Sequence, residues 1–159
     1  MPVSDLCNKK IVCIERGASL EEAAKVMKKH GLGALVVVEG DNVPVGVLTD
    51  RDIVLCLAEE DTPLDSAVGE AMSDQLVTAS ENVGIAEAVD KMKDEEVRRL
   101  VIIDDDGKAC GLISSDDVLQ LMARELSSIG QVIQRQTGRG ISKPSAGIHK
   151  MPQSTQMMF

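Results

Sequence analysis

Aromatic residues are all but missing: of 159 residues only Phe159 is aromatic, with no Trp and no Tyr. That excludes single-strand nucleic-acid platforms, which stack bases on rings, and aromatic cages for quaternary ammonium groups. No apolar run approaches the roughly 20 residues of a membrane span, and Met1 to Lys10 has no basic segment followed by an apolar stretch. A soluble, cytoplasmic protein is expected. The four cysteines, Cys7, Cys13, Cys56 and Cys110, form no Cys-x-x-Cys pair, and His30 and His149 lie far from them in sequence. Neither zinc spacing nor a disulfide framework is present, so the thiols read as small core residues in a reducing compartment.

Positive charge is scarce as well: 17 Lys plus Arg stand against 26 Asp plus Glu, a formal net of −9. The imbalance is uneven. Residues 1–125 hold every acid and net −13, while Arg135, Arg139, Lys143 and Lys150 give residues 126–159 a net of +4. An acidic body repels phosphate polyanions at long range, which disfavours nucleic acid as a partner of the folded part, although a local cationic pocket for one small anion stays open. From residue 137 the chain is rich in Gly, Ser, Pro, Gln and Met without periodicity and is read as a flexible basic tail. Such a tail can be solvated or can dock on nucleic acid or a partner protein.

Self-similarity organises the rest. Gly46-Val47-Leu48-Thr49-Asp50-Arg51-Asp52-Ile53 lies over Gly111-Leu112-Ile113-Ser114-Ser115-Asp116-Asp117-Val118, an offset of 65 residues. The register holds without a gap from Val3–Ala58 onto Val68–Ala123, with 12 of 56 positions identical, and the apolar pattern agrees almost throughout. The expected organisation is therefore repeat 1 over residues 1–62, repeat 2 over 63–136 and the tail over 137–159.

Each copy reads as β-α-β-β-α. Apolar runs at Ile11–Ile14 and Leu76–Ala79 suggest strands, and Ser19 with Glu22 makes a capping box that opens a helix. Leu20, Ala23, Ala24 and Met27 then recur at helical spacing, as Ile85, Ala88, Val89 and Met92 do. The β-branched runs Leu35–Val38 and Leu100–Ile103 pair across turn signals with Val45–Leu48 and Cys110–Ile113 as hairpins. A final helix begins near Asp52 or Asp117, and in repeat 2 Leu126, Ile129 and Ile133 carry its apolar stripe about two turns further. Units this small are marginal alone, so an α+β fold with the two sheets packed together is expected. The late stripe suits either that core or a second subunit, with a homodimer preferred.

Within each copy Gly, two aliphatics, Thr or Ser, two variable residues and Asp stand where the hairpin's last strand becomes a helix. Two readings are open. The hydroxyl and carboxylate can merely cap the helix, or the carboxylate can accept from a ribose diol while the hydroxyl and free helix amides address phosphate. No nucleophile–base pair, His-Glu-x-x-His or phosphate-cradling Gly-x-x-x-x-Gly-Lys sequence occurs, so no catalytic residue is nominated. Asp104-Asp105-Asp106 before Gly107 reads as a solvated turn rather than a magnesium site.

The doubled motif resembles a tandem pair of cystathionine-β-synthase (CBS) domains, also called a Bateman module, over residues 3 to about 125. That resemblance implies a non-catalytic regulatory module. Its two sheets pack about a pseudo-two-fold axis, leaving clefts for AMP, ADP, ATP or an S-adenosyl compound, often in disk-like dimers that regulate another protein. Carried over residue by residue, it implies that Thr49 and Asp52 hold phosphate and ribose in one cleft, with Arg51 as an added cation and Val97, Arg98 and Arg99 as the opposing wall. It implies Ser114 and Asp117 in the other, opposite Leu32, Gly33 and Ala34, where only Lys9 and Lys10 offer side-chain cations. Guanidinium groups bind phosphate in a forked, bidentate way. The Thr49 cleft is accordingly expected to be the better phosphate site, with Arg99 favoured over Arg98; adjacent strand residues point to opposite faces, which leaves Arg98 for a surface pairing with Glu95 or Glu96.

Overall fold

The computed structural model describes residues 1–7, 11–59 and 62–137. Residues 1–122 form one compact unit containing both sheets; a second unit begins at Ala123 and is described through Thr137.

In the first repeat a short strand β1 (Cys13–Glu15) leads to helix α1 (Leu20–His30). Ser19 accepts from the Glu22 amide at 3.1 Å and the Glu22 carboxylate accepts from the Ser19 amide at 3.0 Å, so the expected capping box closes. Gly31 ends the helix in the left-handed region, φ 64°, where a residue without Cβ is unstrained. Strands β2 (Ala34–Glu39) and β3 (Val43–Thr49) form the hairpin, and α2 (Asp50–Leu57) follows at once. The second repeat has β4 (Thr78–Ser80), α4 (Ile85–Asp94), β5 (Arg99–Ile103), β6 (Ala109–Ser114) and α5 (Ser115–Thr137). In both sheets the first strand pairs parallel with the middle one and the hairpin is antiparallel, giving orders β1-β2-β3 and β4-β5-β6.

Strand alternation divides the apolar residues between two jobs. Leu35, Val37 and Leu48 face the helices and pack with Leu20, Ala23, Met27 and Ile53; Leu100, Ile102 and Ile113 do the same with Ala88, Met92 and Val118. The opposite faces, through Val36, Val38 and Val101 with Val47 and Leu112 beside them, close the sheets on each other. The middle strands are thus buried on both sides, which explains why β2 and β5 read as unbroken apolar runs.

The repeats are also interlocked in a way their sequence boundaries do not suggest. Val3, in a single 3-10 turn (Val3–Asp5), is fully buried in the core of the second repeat and donates its amide to the Val83 carbonyl. Its offset partner Val68, in the four-residue helix α3 (Val68–Ala71), is fully buried in the core of the first repeat. Each copy therefore lends its leading segment to the other. The crossing segments account for the motif glycines: a Cβ on Gly46 would lie 2.7 Å from the Ser73 carbonyl oxygen, and one on Gly111 would lie 2.9 Å from Cys7 Sγ.

Candidate functional site

The two hydroxyl–carboxylate pairs are built alike. Thr49 is the N-cap of α2: its Oγ1 accepts from the Asp52 amide at 3.2 Å, while Asp52 Oδ2 accepts from the Thr49 amide at 2.8 Å and from the Thr49 hydroxyl at 2.6 Å. Ser114 and Asp117 repeat this at the start of α5, with amide bonds of 2.8 and 3.2 Å and a short hydroxyl–carboxylate bond. Capping and ligand binding, set against each other in the sequence, do not compete for the same atom. The cap uses Oδ2 in both boxes, and Oδ1 of Asp52 and of Asp117 makes no hydrogen bond among the described residues.

A cleft of about 290 Å³ opens beside the second box. Ser114, Asp117 and Leu112 of repeat 2 line one side, and Ile11, Val12, Val36 and the turn Gly31-Leu32-Gly33-Ala34 of repeat 1 line the other. This is the wall of small residues assigned to the pair from sequence. Arg99 also lines this cleft, which corrects its expected place beside Thr49 and Asp52. The cause is hairpin register. Arg99 is the antiparallel partner of Ser114, and directly opposed residues on paired strands share a face. The same rule pairs Ala34 with Thr49. Middle-strand residues thus stand next to their own repeat's hydroxyl, a relation readable in the sequence once the hairpin is aligned.

The rest of the expected double-arginine wall is dispersed. Arg98 Nη2 contacts the Asp116 carboxylate at 3.4 Å on the surface, in place of the expected Glu95 or Glu96. Val97 packs against the core of its own repeat. Arg51 is exposed on the first turn of α2, its amide donating to Asp50 Oδ1. Lys9 and Lys10, the cations expected near the second cleft, lie outside the described residues, as does the tail beyond Thr137. Of the nominated cationic residues that are described, Arg99 is the one that lines this cleft.

The cysteines are free thiols, all half-buried. Cys7 and Cys110 line a second cavity of about 240 Å³ with Ser4, Glu81 and Ile102. Burial, with smaller contributions from Cys110 and Asp117, pushes the Cys7 thiol up to about 11, so it stays protonated at neutral pH. The acidic run is a turn: Asp104 Oδ1 accepts from the amides of Asp106 and Lys108. No group of three metal-ligating side chains occurs among the described residues, nor is any helix among them long and apolar enough to cross a membrane.

Comparison with known proteins agrees with this architecture. The chain is 32% identical over 147 residues to an uncharacterized 17.7 kDa protein of Acidianus ambivalens, covering 92% of this chain and 88% of that one. It is also 32% identical over 120 residues to a homoserine O-acetyltransferase of Methanohalobium evestigatum, a match covering 76% of this chain but 24% of the enzyme. Among solved structures, the CBS domain pair of protein MJ0100, in complex with 5′-methylthioadenosine and S-adenosyl-L-methionine, superposes with a TM-score of 0.69 at 25% identity, covering 79% of this chain and 98% of that one. The sequence pattern of the CBS domain matches twice, over residues 3–59 and 68–124. With two interlocked β-α-β-β-α repeats and both motifs in place, the chain belongs to the CBS domain family as a tandem pair.

Proposed function

We propose that the protein is a non-catalytic regulatory module that holds an adenosine compound in the Ser114–Asp117 cleft. The observation that carries this reading is Asp117, which lines the cleft and spends Oδ2 on the capping box, while Oδ1 makes no hydrogen bond among the described residues. A ribose diol supplies the two donors such an oxygen accepts. Adenine then lies among Ile11, Val12, Leu32, Val36 and Leu112, without need of an aromatic ring, and Arg99 faces the anionic group at the 5′ end. The cleft is at the small end of ligand sites, about 300–1,000 Å³. That favours AMP or methylthioadenosine, the latter among the compounds bound to the MJ0100 pair, over ADP and ATP. The Thr49–Asp52 box is a second, weaker site of the same kind.

In this reading the module senses adenylates or S-adenosyl compounds in the cytoplasm and acts on a regulated protein, working as a homodimer. Its signal requires that the ligand bind one arrangement of the repeats better than another. Calorimetric titration with AMP, ATP and methylthioadenosine tests it: saturable heat with AMP and methylthioadenosine supports the assignment. Two closed capping boxes also suit a ligand-free scaffold. Absence of both heat and thermal stabilisation at millimolar ligand would establish the scaffold instead.

A further inference from the structure

Cys7 and Cys110 stand 103 residues apart in the chain, too far for any spacing rule to join them. The crossing of the leading segments brings them together. Backbone bonds from the Val3 amide to the Val83 carbonyl at 2.9 Å and from the Ser4 amide to the Glu81 carbonyl at 3.3 Å tie residues 1–7 to the second repeat. Cys7 is thereby seated on β6, its Sγ and Cβ 2.9 and 3.1 Å from where a Cβ on Gly111 would stand. Cys110, next to that glycine, is the extra residue of a bulge, since Ile102 pairs with Gly111 and Ile103 with Ala109. A bulge takes a side chain out of strict alternation, and Cys110 packs on the same core as Cys7. Both thiols line the cavity of about 240 Å³. In the first repeat the counterparts at the 65-residue offset are Met72 and Val45, an apolar pair packed on its core. The fold at this point therefore needs no thiol.

We propose that Cys7 and Cys110 are an oxidation site, which a peroxide joins into an intramolecular disulfide that fastens the leading segment of repeat 1 to β6 of repeat 2. A disulfide needs Cβ atoms about 3.5–4.5 Å apart, and Cys7 already sits over the residue adjoining Cys110. The cavity admits a molecule as small as hydrogen peroxide. One thiolate attacks the peroxide: an S–O bond forms, the O–O bond breaks, and the departing hydroxide takes up the thiol's proton as water. The second sulfur then displaces water from the sulfenic acid as the S–S bond forms and the S–O bond breaks. Two thiols and one peroxide become one disulfide and two waters, with two electrons passing from sulfur to oxygen. Burial raises both thiols, helped by Cys110 and Asp117 at Cys7 and by Glu81 and Asp104 at Cys110, so thiolate is scarce at neutral pH and the bond forms slowly. The same basicity makes each sulfur a poor leaving group, and the disulfide once formed resists attack by other thiols. The pair is a lasting staple rather than a rapid sensor. Cys13 packs between the sheets and Cys56 on the first core, and neither lines this cavity.

Peptide mapping of the full chain after peroxide treatment tests the proposal independently of any ligand. The reduced protein, held in about 1 mM hydrogen peroxide at about pH 8 and then capped with N-ethylmaleimide, should lose two of its four free thiols and about 2 Da in mass. Digestion should yield one peptide linking Cys7 to Cys110, which dithiothreitol abolishes. Because the bond closes a loop of about 100 residues, the oxidised chain should melt about 5–10 °C above the reduced one. Cys7→Ser and Cys110→Ser should each remove both the linked peptide and the shift; should either variant misfold, the wild-type map decides alone. Four thiols left intact by peroxide overturn the proposal. So do separate sulfinic acids on Cys7 and Cys110, a bond from either to Cys13 or Cys56, or a link between two chains. A linked peptide with no rise in melting temperature overturns the fastening.

Discussion

The two halves of the molecule hold nearly the same four atoms in nearly the same geometry at residues 49/52 and 114/117, yet the surroundings of the two boxes are unequal. Opposite Ser114 stand Gly31, Leu32, Gly33 and Ala34; the residues 65 places on are Glu96, Val97, Arg98 and Arg99. Small side chains leave room for a cleft, and the arginine that hairpin register sets beside Ser114 has Ala34 as its counterpart beside Thr49. One pair is thereby given space and a cation together. The two repeats keep matching capping boxes, and divergence of the facing turn gives them different surroundings.

The sharpest chemical contrast concerns the leading segments. Cys7, packed over Gly111, has its thiol pushed up from 9.0 to about 11, so its thiolate fraction at pH 8 falls about 100-fold and, with the higher nucleophilicity of a more basic thiolate, its alkylation should run about 10-fold slower than that of an unperturbed thiol. The sign for stability follows from a folded value above the unfolded one. The Cys7 contribution is complete below about pH 9 and is lost as pH rises toward 11, which alkaline denaturation midpoints of the wild type and Cys7→Ser will show. Equal labelling rates in folded and unfolded chain would remove the difference.

Next in size are the two motif glycines. Gly46→Ala drives a methyl against the Ser73 backbone oxygen and should cost about 1–3 kcal/mol, whereas Gly111→Ala meets first a thiol that can turn aside and should cost less. Urea denaturation of the two variants ranks them; the reverse order would contradict the crossing described above. Arg99→Ala should then weaken AMP about 10-fold by calorimetry, one lost charge-assisted contact, while changing methylthioadenosine less than about 2-fold. Equal losses would remove Arg99 from the phosphate. Smallest is Glu96→Gly. Glu96 adopts φ 54° where its counterpart is Gly31, so the substitution should raise stability by about 0.5–1 kcal/mol in thermal melts.

Much of this was legible in the sequence because period and register are local properties. The Ser19–Glu22 box, the hairpins and both Thr/Ser–Asp pairs follow from spacing alone. Helix α3 and the burial of Val3 and Val68 were not legible, since each depends on contacts with the opposite repeat and leaves no periodic trace in three or four residues. Arg99 was set in the wrong cleft for a different reason. Matching a motif shows which positions border a cleft, but which of the two repeats' hydroxyls such a position stands beside is settled by its cross-strand partner, Ser114 for Arg99.

The most direct measurement is a calorimetric titration of AMP and methylthioadenosine into wild type, Asp117→Ala and Asp52→Ala side by side. Both substitutions remove the same N3 carboxylate of a capping box and leave the Thr49 or Ser114 N-cap in place, so the structural cost cancels in the comparison. The account predicts that Asp117→Ala reduces the wild-type affinity by about 100-fold or more and that Asp52→Ala leaves the tighter site intact; equal retention of binding in both variants would contradict it.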